Sequence, residues 1–129
     1  MPRARASSTC LVAAALAAAG ALGGAGCGGD ESPARARDGR VAITLDDYFL
    51  SPQRVRARAG RLTFRAVNRG RIGHTLHAIR GERDVVATKT LLPGAAAEAS
   101  GRFAPGDYEL VCILGNHEEL GMRGTLAVR

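Results

Sequence analysis

The chain has 129 residues with 18 basic and 12 acidic side chains, a formal charge of +6, three cysteines, three histidines and only 4% aromatic residues. That length leaves room for one small domain with one hydrophobic core. The basic residues are scattered, with no aromatic interleaving and no recognition helix, which argues against nucleic acid as a partner, and no nucleophile triad or phosphate-binding loop speaks for an enzyme.

In residues 1–26, Arg3 and Arg5 precede an apolar run from Leu11 to Leu22 that is too short to span a bilayer, and small residues then lead to Cys27. This is the pattern of a secretory signal peptide. Ala4 separates the two arginines, so the general export route is expected and not the paired-arginine one. The stretch Leu22-Gly-Gly-Ala-Gly-Cys27 resembles a bacterial lipoprotein processing site, in which Cys27 is lipidated and becomes the new N-terminus. Gly24 stands where such sites usually carry Leu, and the alternative is ordinary cleavage nearby that leaves Cys27 free. Residues 27–40 are mostly Gly, Arg, Ala and acidic residues with Ser32 and Pro33, lack apolar periodicity, and read as a flexible tether. After loss of residues 1–26, 16 basic and 12 acidic side chains remain, a formal +4. Anionic lipid headgroups or an acidic redox partner are the targets such a charge suits.

Residues 41–129 are a succession of short β-rich runs: Val41 to Leu45, Arg54 to Arg58, Leu62 to Asn68, His74 to Ile79, Val85 to Thr90, Ala97 to Phe103, Asp107 to Cys112 and Thr125 to Val128. Turn signals separate them, among them Ser51-Pro52, Arg69-Gly70, Arg80-Gly81, Pro93-Gly94 and Pro105-Gly106-Asp107. Such spacing predicts an all-β protein, a Greek-key β-sandwich. Ala95 to Ala99 is also compatible with a brief helical turn. Alternation puts Leu62, Phe64, Ala66 and Asn68 on one face of their strand, and Arg54, Arg56 and Arg58 on the wet face of another. It also puts His74, Leu76 and Ala78 on one parity and His77 on the other, so His74 is expected to point inward and His77 outward.

Near the C-terminus, Cys112, His117 and Met122 follow one another with four residues between each pair. Thiolate, imidazole and thioether are the soft-ligand set that favours copper, and a trigonal His2Cys site with a weak axial Met is its electron-transfer form. His74 is the histidine placed to complete the set, with His77, three residues on, as the competing candidate. The cysteine count points the same way. Cys10 leaves with the signal and Cys27 is expected to be acylated, so Cys112 has no disulfide partner within the chain. An unpaired thiol in an oxidising compartment is a liability unless it is buried or bound to metal. Leu114 and Leu120 are expected to shield the site from water, and His117 to bring its outer edge to solvent.

The region from about Val41 to Arg129 resembles the cupredoxins, the small blue copper proteins that include plastocyanin, azurin and sulfocyanin. The resemblance runs through Gly106, Tyr108, Cys112, His117, Met122 and Gly124, and upstream through Asn68, Gly70 and His74. Two positions depart from the family pattern: Thr75 stands where many members have Asn after the first histidine, and Asn116 where many have Gly before the second. The Thr75 hydroxyl is expected to take over part of the Asn role in supporting the thiolate loop. Glu118 and Glu119 either add negative charge near the metal or are simply a solvated part of the loop.

The resemblance implies one type 1 copper held by His74, Cys112, His117 and Met122, and a monomer that carries single electrons between redox protein partners without being an enzyme. With the signal and the lipid anchor, the expected location is the extracytoplasmic, periplasmic face of the cell membrane. The alternative is an extracytoplasmic protein for copper storage or delivery; the absence of Met-rich or His-rich tracts argues against it.

Overall fold

The computed structural model describes residues 32–129. The expected signal peptide, Cys27 and the first part of the expected tether lie outside the described residues. Ten strands run in chain order: β1 Ala34–Arg35, β2 Arg40–Asp46, β3 Phe49–Ser51, β4 Arg54–Ala57, β5 Gly60–Asn68, β6 His77–Arg80, β7 Arg83–Ala87, β8 Ala96–Phe103, β9 Gly106–Val111 and β10 Arg123–Val128. They form two mixed sheets, a six-stranded one in the order β1-β4-β10-β9-β6-β7 and a four-stranded one in the order β3-β2-β5-β8. The alanine-rich segment is strand: β8 pairs antiparallel with β5 from Gly60↔Phe103 to Val67↔Ala96, and those ladder bonds outweigh the local helix preference of alanine.

The core between the sheets follows the period-two pattern. On β5, Leu62, Phe64, Ala66 and Asn68 are buried while Arg65 is exposed. Val41, Ile43 and Leu45 of β2 share their layer, facing Leu76, Ala78, Leu110, Leu126 and Val128 of the other sheet. The core aromatics form one chain of rings: Phe64 and Phe103 lie 5.7 Å apart between centroids, and Phe103 and Tyr108 lie 4.9 Å apart, edge to face. The Tyr108 hydroxyl donates to the Ala104 carbonyl at 2.8 Å, closing the corner that turns β8 into β9.

Besides β6, which starts at His77 and leaves His74 ahead of it in an isolated bridge with Leu91, two elements depart from the sequence expectation. The segment up to Arg40 is not tether throughout, because β1 pairs with the outer edge of β4 and the Ala36 amide donates to the Arg56 carbonyl at 2.8 Å. Asp38 and Gly39, both at positive φ, then make a two-residue hairpin turn between Arg37 and Arg40. Asp-Gly is the strongest short signal for that turn. The Gly39 carbonyl accepts from the Thr63 amide at 2.8 Å, so the turn is stitched to β5. The second departure is β3, three residues long and therefore hard to read from a pattern. It pairs with β2 and buries Leu50.

The sandwich has two distinct ends. β9 runs from Gly106 to Val111 with Cys112 just beyond, β10 begins immediately after Met122, β5 finishes at Asn68 and β2 at Asp46, so all these residues gather at one end. Arg40, Gly60, Gly106 and Val128 mark the other. Tyr108→Phe removes the corner hydrogen bond and is expected to cost about 1 kcal/mol of stability. Urea unfolding checks this, and an unchanged midpoint would show that the corner is held by packing alone.

Candidate metal centre

The site is built from three segments that the strands deliver to one end. The first is the connection from β5 to β6. Asn68, fully buried, donates through its side-chain nitrogen to the carbonyls of Ile72 at 2.8 Å and Leu91 at 2.7 Å, and its side-chain oxygen accepts from the Gly70 amide at 2.8 Å. One side chain thus folds the loop that carries His74. A backbone bridge holds the histidine itself: its amide donates to Leu91 at 3.1 Å and its carbonyl accepts from Leu91 at 2.7 Å.

The second segment is the connection from β9 to β10. The Cys112 amide donates to the Met122 carbonyl at 3.1 Å and the Met122 amide to the His117 carbonyl at 3.0 Å, so the backbone of all three residues is tied together. Within the loop, the amides of His117, Leu120 and Gly121 donate to Leu114, Asn116 and Glu118. Gly115 and Gly121 have the positive φ that these turns require. Cys112 and Met122 are fully buried, and His117 is half-buried.

These segments bring His74, Cys112 and His117 together. Their ligand atoms all lie within 4.8 Å of one another. His74 Nδ1 is 3.3 Å from His117 Nδ1, and Cys112 Sγ is 3.5 Å from His117 Nδ1. Bonds to one ion of about 2.0–2.1 Å from nitrogen and 2.3 Å from sulfur fit separations of this size. The group could therefore hold a single metal ion. The thiol also has donors aimed at it: the Thr75 amide at 3.4 Å and the Thr75 hydroxyl at 3.7 Å. The same hydroxyl oxygen accepts from the Ile113 amide at 3.2 Å, so Thr75 supports the thiolate loop as its position suggested.

The third segment, the turn after β2, was not singled out from the sequence. Asp47 Oδ1 lies 3.2 Å from His74 Nε2, a contact that directs the other ring nitrogen, Nδ1, toward Cys112 and His117. The carboxylate is itself held by the Arg71 amide at 2.9 Å and by Arg71 Nε at 3.1 Å. The Arg71 amide is the main cause that lowers the Asp47 carboxyl to about 2, helped by the Arg71 side chain and His74 and opposed by partial burial. Gly70 makes room for this pair, since a β-carbon there would stand 2.3 Å from Asp47 Oδ1 and 2.9 Å from His74 Nε2. Tyr48, next in the same turn at φ 63°, sets its ring edge-on against His117 at 5.3 Å between centroids.

Three expectations need correction or refinement. His77, the first residue of β6, was expected to look outward, but it is buried, and Asp84 on the adjacent strand bonds its Nδ1 at 3.1 Å. It takes no part in the His-Cys-His group. Leu120 does not shield the site, being 50% exposed on the outer side of its turn, whereas Leu114 does pack partly against the core. Glu118 pairs with Arg123 at 3.5 Å, which offsets its charge, and Glu119 is exposed.

Comparison with solved structures places this architecture. A reduced auracyanin from Roseiflexus castenholzii superposes with a TM-score of 0.68 at 18% identity, covering 73% of this chain and 99% of that one. The chain has the cupredoxin fold. Auracyanin A of Chloroflexus aurantiacus, a "blue" copper protein, matches with a TM-score of 0.62 at 16% identity over 70% of this chain and 99% of that one. A multicopper oxidase matches with a TM-score of 0.54 at 19% identity, but only 41% of its length is covered. No protein-family model and no curated protein matches the sequence. Within the cupredoxin fold, the His-Cys-His group lies at the end of the sandwich where β5, β9 and β10 meet their loops.

Two outcomes test this arrangement. Gly70→Ala, which forces Asp47 and His74 apart, is expected to weaken Co2+ binding roughly 10–100-fold, read from the thiolate-to-cobalt absorption on titration. Equal affinity would mean that Asp47 does not set the orientation of His74. The second concerns acid. The folded Asp47 carboxyl at about 2 lies below its ordinary value of 3.8. Its stabilisation is therefore complete above about pH 4 and is lost as pH falls toward 2. Circular dichroism of the metal-free protein is expected to show this acid limb, and Asp47→Asn to flatten it.

Proposed function

We propose that the chain is an exported type 1 copper protein, tethered to the outer face of the cell membrane, that carries single electrons between redox protein partners and catalyses no reaction of its own. The observation that carries this reading is the convergence of His74 Nδ1, Cys112 Sγ and His117 Nδ1, with two Thr75 donors on the sulfur. His74, Cys112 and His117 would hold the copper, with buried Met122 as a weaker fourth ligand. Copper bound there would supply reversible one-electron chemistry. A soft thiolate with two imidazoles and a thioether suits copper better than the hard cations, which take oxygen ligands. That the fold is shared with a "blue" copper protein supports the same choice.

The residues present account for what such a carrier needs. Cys112, His117 and Met122 are joined by backbone bonds, and His74 is held by its bridge to Leu91 and by Asp47, so the ligand atoms are kept at one spacing with little freedom to rearrange. A frame that resists rearrangement lowers the reorganisation that slows electron exchange. Thr75 hydrogen bonds to the sulfur stabilise the thiolate and would tune the potential. The half-buried His117 is the route to the surface. Tyr48, which touches it, and Ile113 and Leu120 of its own loop are 43%, 53% and 50% exposed, and they offer an apolar face on which a redox partner can dock close to the metal. Among the described residues no helix is long and apolar enough to cross a membrane, and the proposed attachment runs through Cys27, at the site that resembles lipoprotein processing.

Copper titration of the purified protein tests the reading. An intense thiolate-to-copper charge-transfer band in the visible is expected, absent in Cys112→Ala, together with reversible one-electron reduction. Met122→Leu is expected to keep the band and move the potential. A colourless copper complex, or a band that survives in Cys112→Ala, would remove the assignment. Slow electron exchange with ready transfer of copper to an acceptor protein would favour delivery instead.

A further inference from the structure

The end of the sandwich remote from the His-Cys-His group carries a second concentration of chemistry. Arg35, Arg37, Arg56, Arg58, Arg61 and Arg129 line one cleft of about 1010 Å3, in which the one acidic side chain is Asp38. They come from β1 and the turn after it, from β4 and the residue following it, from the start of β5 and from the residue after β10. Arg129 is bonded to Asp107 at 2.8 Å. Among the described residues the other five have no carboxylate partner, although all are exposed. Elsewhere Arg40 pairs with Glu98, Arg71 with Asp47 and Arg123 with Glu118, while exposed arginines without a carboxylate partner among the described residues, such as Arg65, Arg69, Arg83 and Arg102, are spread over other strands and loops and are not gathered in this cleft.

Five like charges gathered around one cleft repel one another, and an anionic surface relieves that repulsion. We propose that this arginine-lined end seats the protein on an anionic lipid bilayer, the guanidinium groups pairing with headgroup phosphates. Guanidinium is suited to phosphate because its planar fork gives two parallel hydrogen bonds. Two observations favour a bilayer over an acidic redox protein. The strands put this end about 20 Å from Cys112, the length of the six residues of β9. An electron carrier gains little from a redox partner docked that far from its metal, because electron transfer weakens steeply with distance. The chain also enters the fold here: β1 lies beside the cleft and begins about seven residues after Cys27, so a membrane anchor at Cys27 would hold the arginines within about 25 Å of the bilayer. Seated in this way, the domain turns His117 away from the membrane, toward partners.

The proposal does not depend on which metal is bound, and its test separates it from the copper reading. Partition of the full chain onto vesicles is measured with phosphatidylglycerol present and with phosphatidylcholine alone, the neutral vesicles reporting whatever the N-terminal apolar segment contributes. At ~50 mM salt the anionic vesicles are expected to bind at least about tenfold more tightly, and at ~500 mM salt the excess is expected to vanish. Arg56→Glu with Arg58→Glu is expected to abolish the excess. Arg65→Glu with Arg83→Glu, the same change of charge outside the cleft, is expected to keep most of it. If the first pair lowers the thermal midpoint, Arg56→Gln with Arg58→Gln replaces it, with a loss of at least about fivefold expected. Equal binding to both vesicles would overturn the proposal, as would equal loss in the two Glu pairs, which would trace the effect to net charge. Preference for a soluble polyanion, such as a single-stranded oligonucleotide, with no excess on anionic vesicles would overturn it as well.

Discussion

The Thr75 amide stands 3.4 Å from the Cys112 sulfur, and the Thr75 hydroxyl oxygen receives the Ile113 amide on the far side of the same loop. That clasp joins two connections 37 residues apart in sequence, one from each half of the domain. It forms because β5 of one sheet ends at Asn68 and β9 of the other ends at Val111, both at the same rim of the sandwich. The register of β6 on β9, with His77 opposite Val111, sets the height at which they meet. A slip of one residue in β9 would turn Cys112 to the wrong face, so the pattern that buries Tyr108 and Leu110 also aims its sulfur. Core and site are specified by the same alternation.

What could be read from the residues alone follows from that sharing. Period two is visible in a sequence, and so the buried set of β5 and the two-sheet character of the fold were legible, whereas His74 lies ahead of β6 and owes its inward position to its bridge with Leu91 and to Asp47. The spacing of Cys112, His117 and Met122 was legible for a different reason, since a short loop keeps its ligands close whatever the fold around it. Asp47 was not legible, because its role depends on a contact across 27 residues and on the space left by Gly70. The burial of His77 was misread because parity says which face a side chain takes, not whether Asp84 lies across it. Leu120 was misread because a turn of overlapping backbone bonds throws successive side chains outward.

Buried polar groups near the site are used economically. No buried side-chain nitrogen or oxygen among the described residues lacks a partner. Asn68, His74, Thr75 and His77 are the buried polar residues, and each is tied to a different segment: Asn68 to the loop it folds, His74 to Asp47, Thr75 to the thiol and His77 to β7. In a low-dielectric interior such bonds are directional constraints as well as stabilisation, since breaking one leaves an unpaired group that costs about 1–3 kcal/mol. The end that carries the His-Cys-His group is therefore braced by hydrogen bonds, whereas the middle of the sandwich relies on aliphatic and aromatic packing.

The short first strand has a mechanical meaning. β1 and the Asp38-Gly39 turn attach the incoming chain to β4 and β5 at the rim farthest from Cys112. Any pull on the N-terminal segment is met first by the β1–β4 pairs and the Gly39–Thr63 bond, none of which carries a ligand residue. β1 can peel away while β4 remains paired with β10, which leads to Met122 at its other end. A leash fastened in this way would allow the domain to be tugged and reoriented while the spacing of His74, Cys112 and His117 stays the same.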